Sequence, residues 1–393
     1  MAREKLLINE IVDPLAARVI VDEGAGDPDL VARFDVAGVP RVDGFLVGKQ
    51  AAAVPTMVTR LCGLCPVTHH LAGIGALDQL VGVAPDAGAR QVRLLMHHGS
   101  VLDVMGPRLA APRGRADAVA LRMLGKKVLA LAGVPGHFPS VATPGGVRVA
   151  ALPGNQEELR EEIRQALPAA RGIVEGLLAA AGEDPQGWQA YEGADVVVAN
   201  ERGEWDPLGG YIRVTYNGKA ELVPAAAVPA RIRETVLGSI TPRPQLLFDG
   251  QWLAYRVGPA ARYPGLAVAK AQAQSLLDSL GAIGELLKEP LPKPGEGVAL
   301  DATHDGSGVG LVDGPRGLLV HHYTVEDGVL VRCEILSPTA QNEPWLAAML
   351  SRAYQEGAGT EAMELAVRAA DPCLPCTQAP PGMMNIQVVR AGE

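Results

Sequence analysis

The first long run of helical periodicity begins at Pro66, where the apolar positions Val67, Leu71, Ile74, Leu77 and Leu80 recur at spacings of three and four. Proline suits the first turn of a helix, because its missing N–H would have no partner there. The same pattern predicts helices over Arg90 to Val104, Ala116 to Ala132, Gln156 to Ala181 with Asn155 as cap, and Gly265 to Lys288. Two more follow, Pro344 to Gln355 and a helix capped by Thr360 that runs to Ala370. Strand-like pieces are shorter: Arg18 to Val21, Phe45 to Val47, and a terminal strand around Ile386, Val388 and Val389. Gly210 to Val223 reads as a hairpin, with strand formers Tyr211, Val214 and Tyr216 and a turn at Asn217-Gly218. A second hairpin runs Leu318 to Tyr323, turns at Glu326-Asp327-Gly328 and returns over Val329 to Leu336. Glu289 to Gly317, rich in proline and glycine, reads as an ordered, irregular loop over the site. The fold class expected is α+β, mainly helical: a core of long helices with small β elements. With no repeat, low-complexity tract or break in composition, one domain over residues 1–393 is expected.

Composition narrows the function. The 393 residues are 48% hydrophobic, ample for a large core. A formal charge of −9 with no lysine/arginine run argues against a nucleic-acid surface or a polybasic membrane patch. Apolar stretches such as Val128 to Val134 and Ile173 to Ala181 are too short for a membrane span, and Met1-Ala2-Arg3-Glu4-Lys5 does not open a signal peptide. A cytoplasmic location is the expectation.

Of the five cysteines, four form two C-x-x-C pairs, Cys62/Cys65 and Cys373/Cys376, at opposite ends of the chain. In a chain without an export signal such pairs point to metal binding or redox chemistry before structural disulfides. If the fold joins the ends, the pairs make one four-thiolate site. Cys62 and Cys65 fall on the turn entering the first helix, where unpaired N–H groups favour thiolate over thiol. A closed zinc cage is one reading of four thiolates. It requires neither His69, at a helical offset from Cys65, nor Asp371-Pro372 before the second pair. Thioredoxin-like chemistry lacks its strand-then-helix context. Cys333, in an alternating strand pattern, reads as packing. His70 reads as surface or packing. Of the adjacent pairs His97-His98 and His321-His322, at most one member each faces the site. His137 is a further proton-relay candidate, and Gly145-Gly146 marks a turn or a close backbone approach.

Arg60-x-Cys62-Gly63-x-Cys65-x-x-x-His69 and Asp371-Pro372-Cys373-x-x-Cys376 resemble the two signatures of the large subunit of nickel–iron hydrogenases. Ala76-Leu77-Asp78, the stretch His137 to Val147, and Gly306 to Gly317 followed by His321-His322-Tyr323 also resemble that family, nearest its cytoplasmic NAD(P)- or F420-linked branch. The resemblance spans the chain, with Val257 to Pro290 shortened. It implies the hydrogenase large-subunit fold and the reversible cleavage of molecular hydrogen to protons and electrons. Nickel would be held by Cys62, Cys65, Cys373 and Cys376, with Cys65 and Cys376 bridging to an iron that carries carbon monoxide and two cyanides. Cys373 or Arg316 would be the base, Arg316 alternatively a clamp on Asp371 and the diatomic ligands. His69 would donate to a bridging sulfur. Pro315 and the polar segment Thr339, Gln341 and Asn342 would lie near the iron ligands. Too few cysteines remain for iron–sulfur clusters, so the implied partners are an iron–sulfur small subunit, with a diaphorase module and maturation factors.

Three departures stand out. The family's N-terminal proton-passing glutamate has no match in Ile8 to Ala16, leaving Glu10 or Asp13 as substitutes. An acidic position tied to magnesium is matched only loosely, by Asp43. The histidine that follows the last cysteine in relatives, where the tail beyond is cleaved, is absent from Thr377-Gln378-Ala379. Two rival readings stay open: a non-catalytic or hydrogen-sensing relative, and a structural four-cysteine scaffold.

Overall fold

The computed structural model describes residues 17–22, 31–35, 43–61, 63–184, 191–236, 243–288, 290–291, 293–300, 303–384 and 386–390. Its long helices are α1 (Pro66–Val81), α2 (Ala87–Ala110), α3 (Arg115–Leu131), α4 (Gln156–Ala180), α5 (Val268–Leu286), α6 (Pro338–Gln355) and α7 (Thr360–Ala370). α2 to α5 pack on one another and on α1 around Leu95, Leu102, Leu121, Ile163, Leu276 and Ile283. Their apolar stripes supply the period of three and four that the sequence displays. α2 opens on Asp86, whose carboxylate accepts from the Ala89 N–H, and α6 opens on Ser337, which accepts from Ala340. α6 begins a turn and a half before the expected Pro344, and α2 outruns the expected end at Val104 by carrying Pro107 inside its last turns. A proline within a helical pattern reads as a stop, yet in both places the chain continues through it.

The strands are β1 (Arg18–Val21), β2 (Ala32–Asp35), β3 (Ala142–Thr143), β4 (Gly146–Val147), β5 (Ala194–Ala199), β6 (Tyr211–Tyr216), β7 (Lys219–Pro224), β8 (Ile232–Glu234), β9 (Pro244–Phe248), β10 (Gln251–Leu253), β11 (Tyr255–Val257), β12 (Gly306–Gly314), β13 (Gly317–Glu326), β14 (Val329–Leu336) and β15 (Gln387–Arg390). They form small sheets ordered β15-β1-β2, β10-β9-β8, β11-β5-β6-β7, β12-β13-β14 and β3-β4. The hairpin at Asn217-Gly218 forms as expected, with both turn residues at positive φ. So does the β13–β14 hairpin, and the terminal strand pairs in parallel with β1.

Two expectations are corrected. Phe45 to Val47 is no strand: Asp43–Leu46 is a helical turn, with Phe45 three-quarters exposed. An apolar run this short carries no reliable period. Within the stretch read as an irregular loop, 306–314 is a strand. Its glycines are a packing requirement. A Cβ on Gly310 would stand 1.8 Å from the Ala72 carbonyl oxygen, and one on Gly308 2.0 Å from that of Ala76. α1 therefore lies directly on the backbone of β12, which fixes the helix that begins at Cys65.

Candidate metal centre

Cys65 is the N-cap of α1, and Asp371, in the left-handed conformation at φ 51°, is the C-cap of α7. Aspartate tolerates that conformation, so the chain turns sharply out of α7 into Pro372-Cys373. The two helix ends bring Cys65 Sγ and Cys373 Sγ to 3.5 Å across 308 residues of sequence. Two thiolates on one metal ion, with metal–sulfur bonds of about 2.3 Å, sit roughly 3.3–3.8 Å apart. The pair therefore fits a shared metal. Cys376, buried on the following helical turn, has its thiol pushed up to about 11 by burial. Cys62 lies outside the described residues, and among those residues no group of three histidine, cysteine or acidic side chains makes a metal cage. Glu10 and Asp13 lie outside them too, as does the side chain of Asp43, the loosely matched magnesium residue.

Asp371 is held by two guanidinium groups. Arg316 Nε lies 3.2 Å from Oδ2, and its Nη2 donates to Oδ1 at 3.3 Å. Arg108 Nε lies 3.2 Å from Oδ2. A carboxylate at a helix C-terminus is unfavourable beside the last carbonyls, and the two cations offset that. Arg108 continues to Gln272 Oε1 (2.9 Å), and Gln272 donates to the Ala369 carbonyl (3.0 Å), so α2 and α5 both brace the end of α7. Burial lowers the pKa of Arg108 and the neighbouring Arg316 lowers it further, while Asp371 acts the other way. Arg316 itself sits on the tight turn between β12 and β13, where Gly314 pairs with Gly317 and leaves Pro315-Arg316 as the two loop residues. Pro315 presets the backbone there. The turn presses on Gly258, on which a Cβ would meet the Arg316 carbonyl oxygen at 2.6 Å. Pro315, Arg316, Asn342, Gln272 and Asp371 together line a small cavity.

The polar start of α6 holds this half in place. Thr339 Oγ1 accepts from the Cys373 N–H (2.6 Å). Gln341 donates to the Leu318 carbonyl (2.6 Å), and Asn342 bridges the N–H and carbonyl of Val257. Further along, Arg368 pairs with Glu364 and donates to the carbonyls of Ala379 (2.6 Å) and Pro380 (2.9 Å), tying down the chain after Cys376.

The histidines divide as strand and helix geometry requires. His321 is buried and lies 3.0 Å, Nε2 to Nδ1, from His69, whereas His322 on the opposite face of β13 pairs with Glu334. His321 Nδ1 is 2.6 Å from the Tyr323 hydroxyl. His70 is packing: it spans the Pro55 carbonyl and the Ala142 N–H, and burial lowers it to about 4. His97 lines a cavity with Gly314 and Pro315, while His98 lies 3.3 Å from Ser279 Oγ, lowered by burial to about 3. His137 is exposed and lies 2.8 Å from the Gly63 carbonyl oxygen inside the first cysteine loop. Cys333 is buried in an apolar cluster, as expected. Asp78 pairs with Arg93 and accepts from the Gly145 N–H (2.7 Å), and a Cβ on Gly146 would stand 2.3 Å from Gly297 N, so that segment is a close structural approach.

Sequence reading missed Arg108 and Tyr323. Arg108 lies beyond the expected end of its helix. Tyr323 could have been found from the period of two, which puts His321, Tyr323 and Val325 on one inward face.

The profile of the nickel-dependent hydrogenase family matches residues 42–104. One subunit of the F420-non-reducing hydrogenase of Methanothermobacter marburgensis is 27% identical, over 84% of this chain and 85% of its own. The alpha subunit of sulfhydrogenase 2 of Pyrococcus furiosus is 26% identical, over 90% of this chain and 96% of its own. Among solved structures, an NAD+-reducing [NiFe]-hydrogenase in the H2-reduced state superposes with a TM-score of 0.69 at 26% identity, covering 90% of this chain and 94% of that one. A Ni-Fe-Se hydrogenase from Desulfovibrio vulgaris Hildenborough shares the fold, at a TM-score of 0.61 and 17% identity, covering 79% of this chain and 84% of that one.

Proposed function

We propose that the chain, which is similar to subunits of nickel-dependent hydrogenases, is the catalytic large subunit of a nickel–iron hydrogenase. The reaction is the reversible heterolytic cleavage of molecular hydrogen to protons and electrons. The observation that carries the reading is the 3.5 Å approach of Cys65 and Cys373 beside a carboxylate clamped by two arginines. Nickel would be held by Cys62, Cys65, Cys373 and Cys376, with Cys65 and Cys376 shared with an iron bearing carbon monoxide and two cyanides. When bound, that centre supplies the redox-active site at which the hydrogen molecule is polarised and its electrons are taken up.

The chain's own residues supply the proton chemistry. Cys373, partly exposed, takes the proton of cleaved hydrogen on its sulfur. Arg316 serves as a clamp rather than a base, because a guanidinium in contact with Asp371 is held in its charged form. Asp371 orients it. Pro315 holds the turn that aims Arg316, and Thr339 fixes the backbone of Cys373. His69, four residues after Cys65 on α1, would donate a hydrogen bond to a cysteine sulfur and so tune the centre. Electrons leave through an iron–sulfur small subunit, joined to a diaphorase module, after maturation factors have built the centre. Among the described residues no helix is long and apolar enough to cross a membrane, and we place the complex in the cytoplasm.

Hydrogen-dependent reduction of an artificial dye by the purified complex tests the reading. Activity is expected, with loss in Cys373→Ser. A nickel-loaded complex without turnover would favour a hydrogen-sensing relative, and one without nickel a structural scaffold.

A further inference from the structure

His69, His321 and Tyr323 form a hydrogen-bonded chain inside the protein, exposed by 7%, 0% and 1%. Burial, with His69 second, lowers the pKa of His321 well below its ordinary value, so it is a neutral ring with one N–H. With one N–H on each ring, a chain of two imidazoles and a phenol has two fully bonded arrangements. In one, the Tyr323 O–H donates to His321 Nδ1, His321 donates from Nε2 to His69 Nδ1, and the proton of His69 is on Nε2. In the other every donor is reversed, and His69 Nε2 carries no proton.

The surroundings of the phenol choose between them. Its ring belongs to a buried cluster that includes Leu46, Val54, Leu77, Val325 and the thiol of its cross-strand partner Cys333, and its hydroxyl lies close against α1 at Gly73. Among the described residues, His321 is its only hydrogen-bond partner. In the reversed arrangement the phenol accepts from His321 and its own buried O–H has no hydrogen-bond acceptor among the described residues, so that arrangement is disfavoured. We propose that the Tyr323 hydroxyl, acting through His321, fixes His69 as the Nε2–H tautomer, so that a donor rather than an acceptor is presented on the face of α1 that carries Cys65. Tyr323 is then a positioning residue two side chains removed from the cysteines. Its value to a bridging thiolate rests on the hydrogenase reading, whereas the tautomer rests on the hydrogen-bonded chain and the surroundings of the phenol.

The test is nitrogen-15 NMR of ring-labelled histidines in the purified full-length protein without metal. The expected result for the wild type is a His69 Nε2 resonance in the protonated range and an Nδ1 resonance in the bare range. In Tyr323→Phe the two resonances move toward each other, as both tautomers become populated. A wild-type His69 protonated on Nδ1 overturns the proposal, whether or not the variant folds. So does a folded Tyr323→Phe with unchanged His69 resonances. Neither outcome depends on hydrogen turnover, so failure here and failure of the hydrogenase reading are separable.

Discussion

The two cysteine-bearing ends of the chain are positioned by different physics. Cys65 rides on α1, a helix pressed onto the backbone of β12 through Gly308 and Gly310 and surrounded by apolar side chains. Cys373 stands on a loop, held by Thr339, by the Asp371 cap and its two arginines, and by the clamp of Arg368 on the chain beyond. One half is set by packing, the other by charge and hydrogen bonds. Packed contacts resist small chemical changes but not added volume, and polar ones do the reverse.

Neutralising Asp371 is the largest expected perturbation. Asp371→Asn preserves the left-handed backbone that asparagine tolerates, yet leaves Arg108 and Arg316 without their shared carboxylate. Breaking a buried pair this way costs about 3–5 kcal/mol, read as a lower urea midpoint, and hydrogen–dye activity falls with it. On the packed half, Gly310→Ala forces α1 off β12 and costs at least the ~1–3 kcal/mol of ordinary overpacking. Gly154→Ala, where nothing lies within 4 Å of the new Cβ, is the neutral control. Equal effects from Gly310→Ala and its control would break the comparison.

The halves also differ in the sign of their pH dependence. On α1, His70 is lowered by burial to about 4, so between about 4 and 6.5 the unfolded chain binds the extra proton and stability falls as pH falls. On α6, Glu343 is raised by burial to about 7 despite its ion pair with Arg243. Between about 4.5 and 7 the folded chain binds the extra proton, and stability falls as pH rises. Glu343→Gln should therefore tilt the stability–pH profile upward toward neutrality, and His70→Gln should tilt it the other way. The smallest effect is that of Thr339→Val, which leaves the Cys373 N–H without its acceptor for a cost on the order of 1 kcal/mol. That substitution should lower hydrogen turnover more than it lowers the unfolding midpoint, because the loop moves while the core stays.

What the sequence displayed and what it concealed follow the same division. Helices, hairpins and the cysteine pairs were legible because each is a local pattern: a period of three to four, Asn217-Gly218, two thiols at fixed spacing. The opposite facing of His321 and His322 was legible from strand geometry. Arg108 was not, because its partner lies far away in sequence and nothing near it marks a cation turned toward a buried carboxylate. β12 was misread as loop because Gly306, Gly308 and Gly310 suit an irregular segment by composition, and only the helix packed against it shows why they are there. Phe45 failed for want of length.

Convergence of the two distant C-x-x-C pairs on one nickel–iron centre is tested most directly by elemental analysis combined with infrared spectroscopy of the purified complex. Nickel and iron are expected together with carbonyl and cyanide stretching bands, all lost in Cys373→Ser. Zinc in their place, with no such bands, would contradict that convergence on nickel and iron.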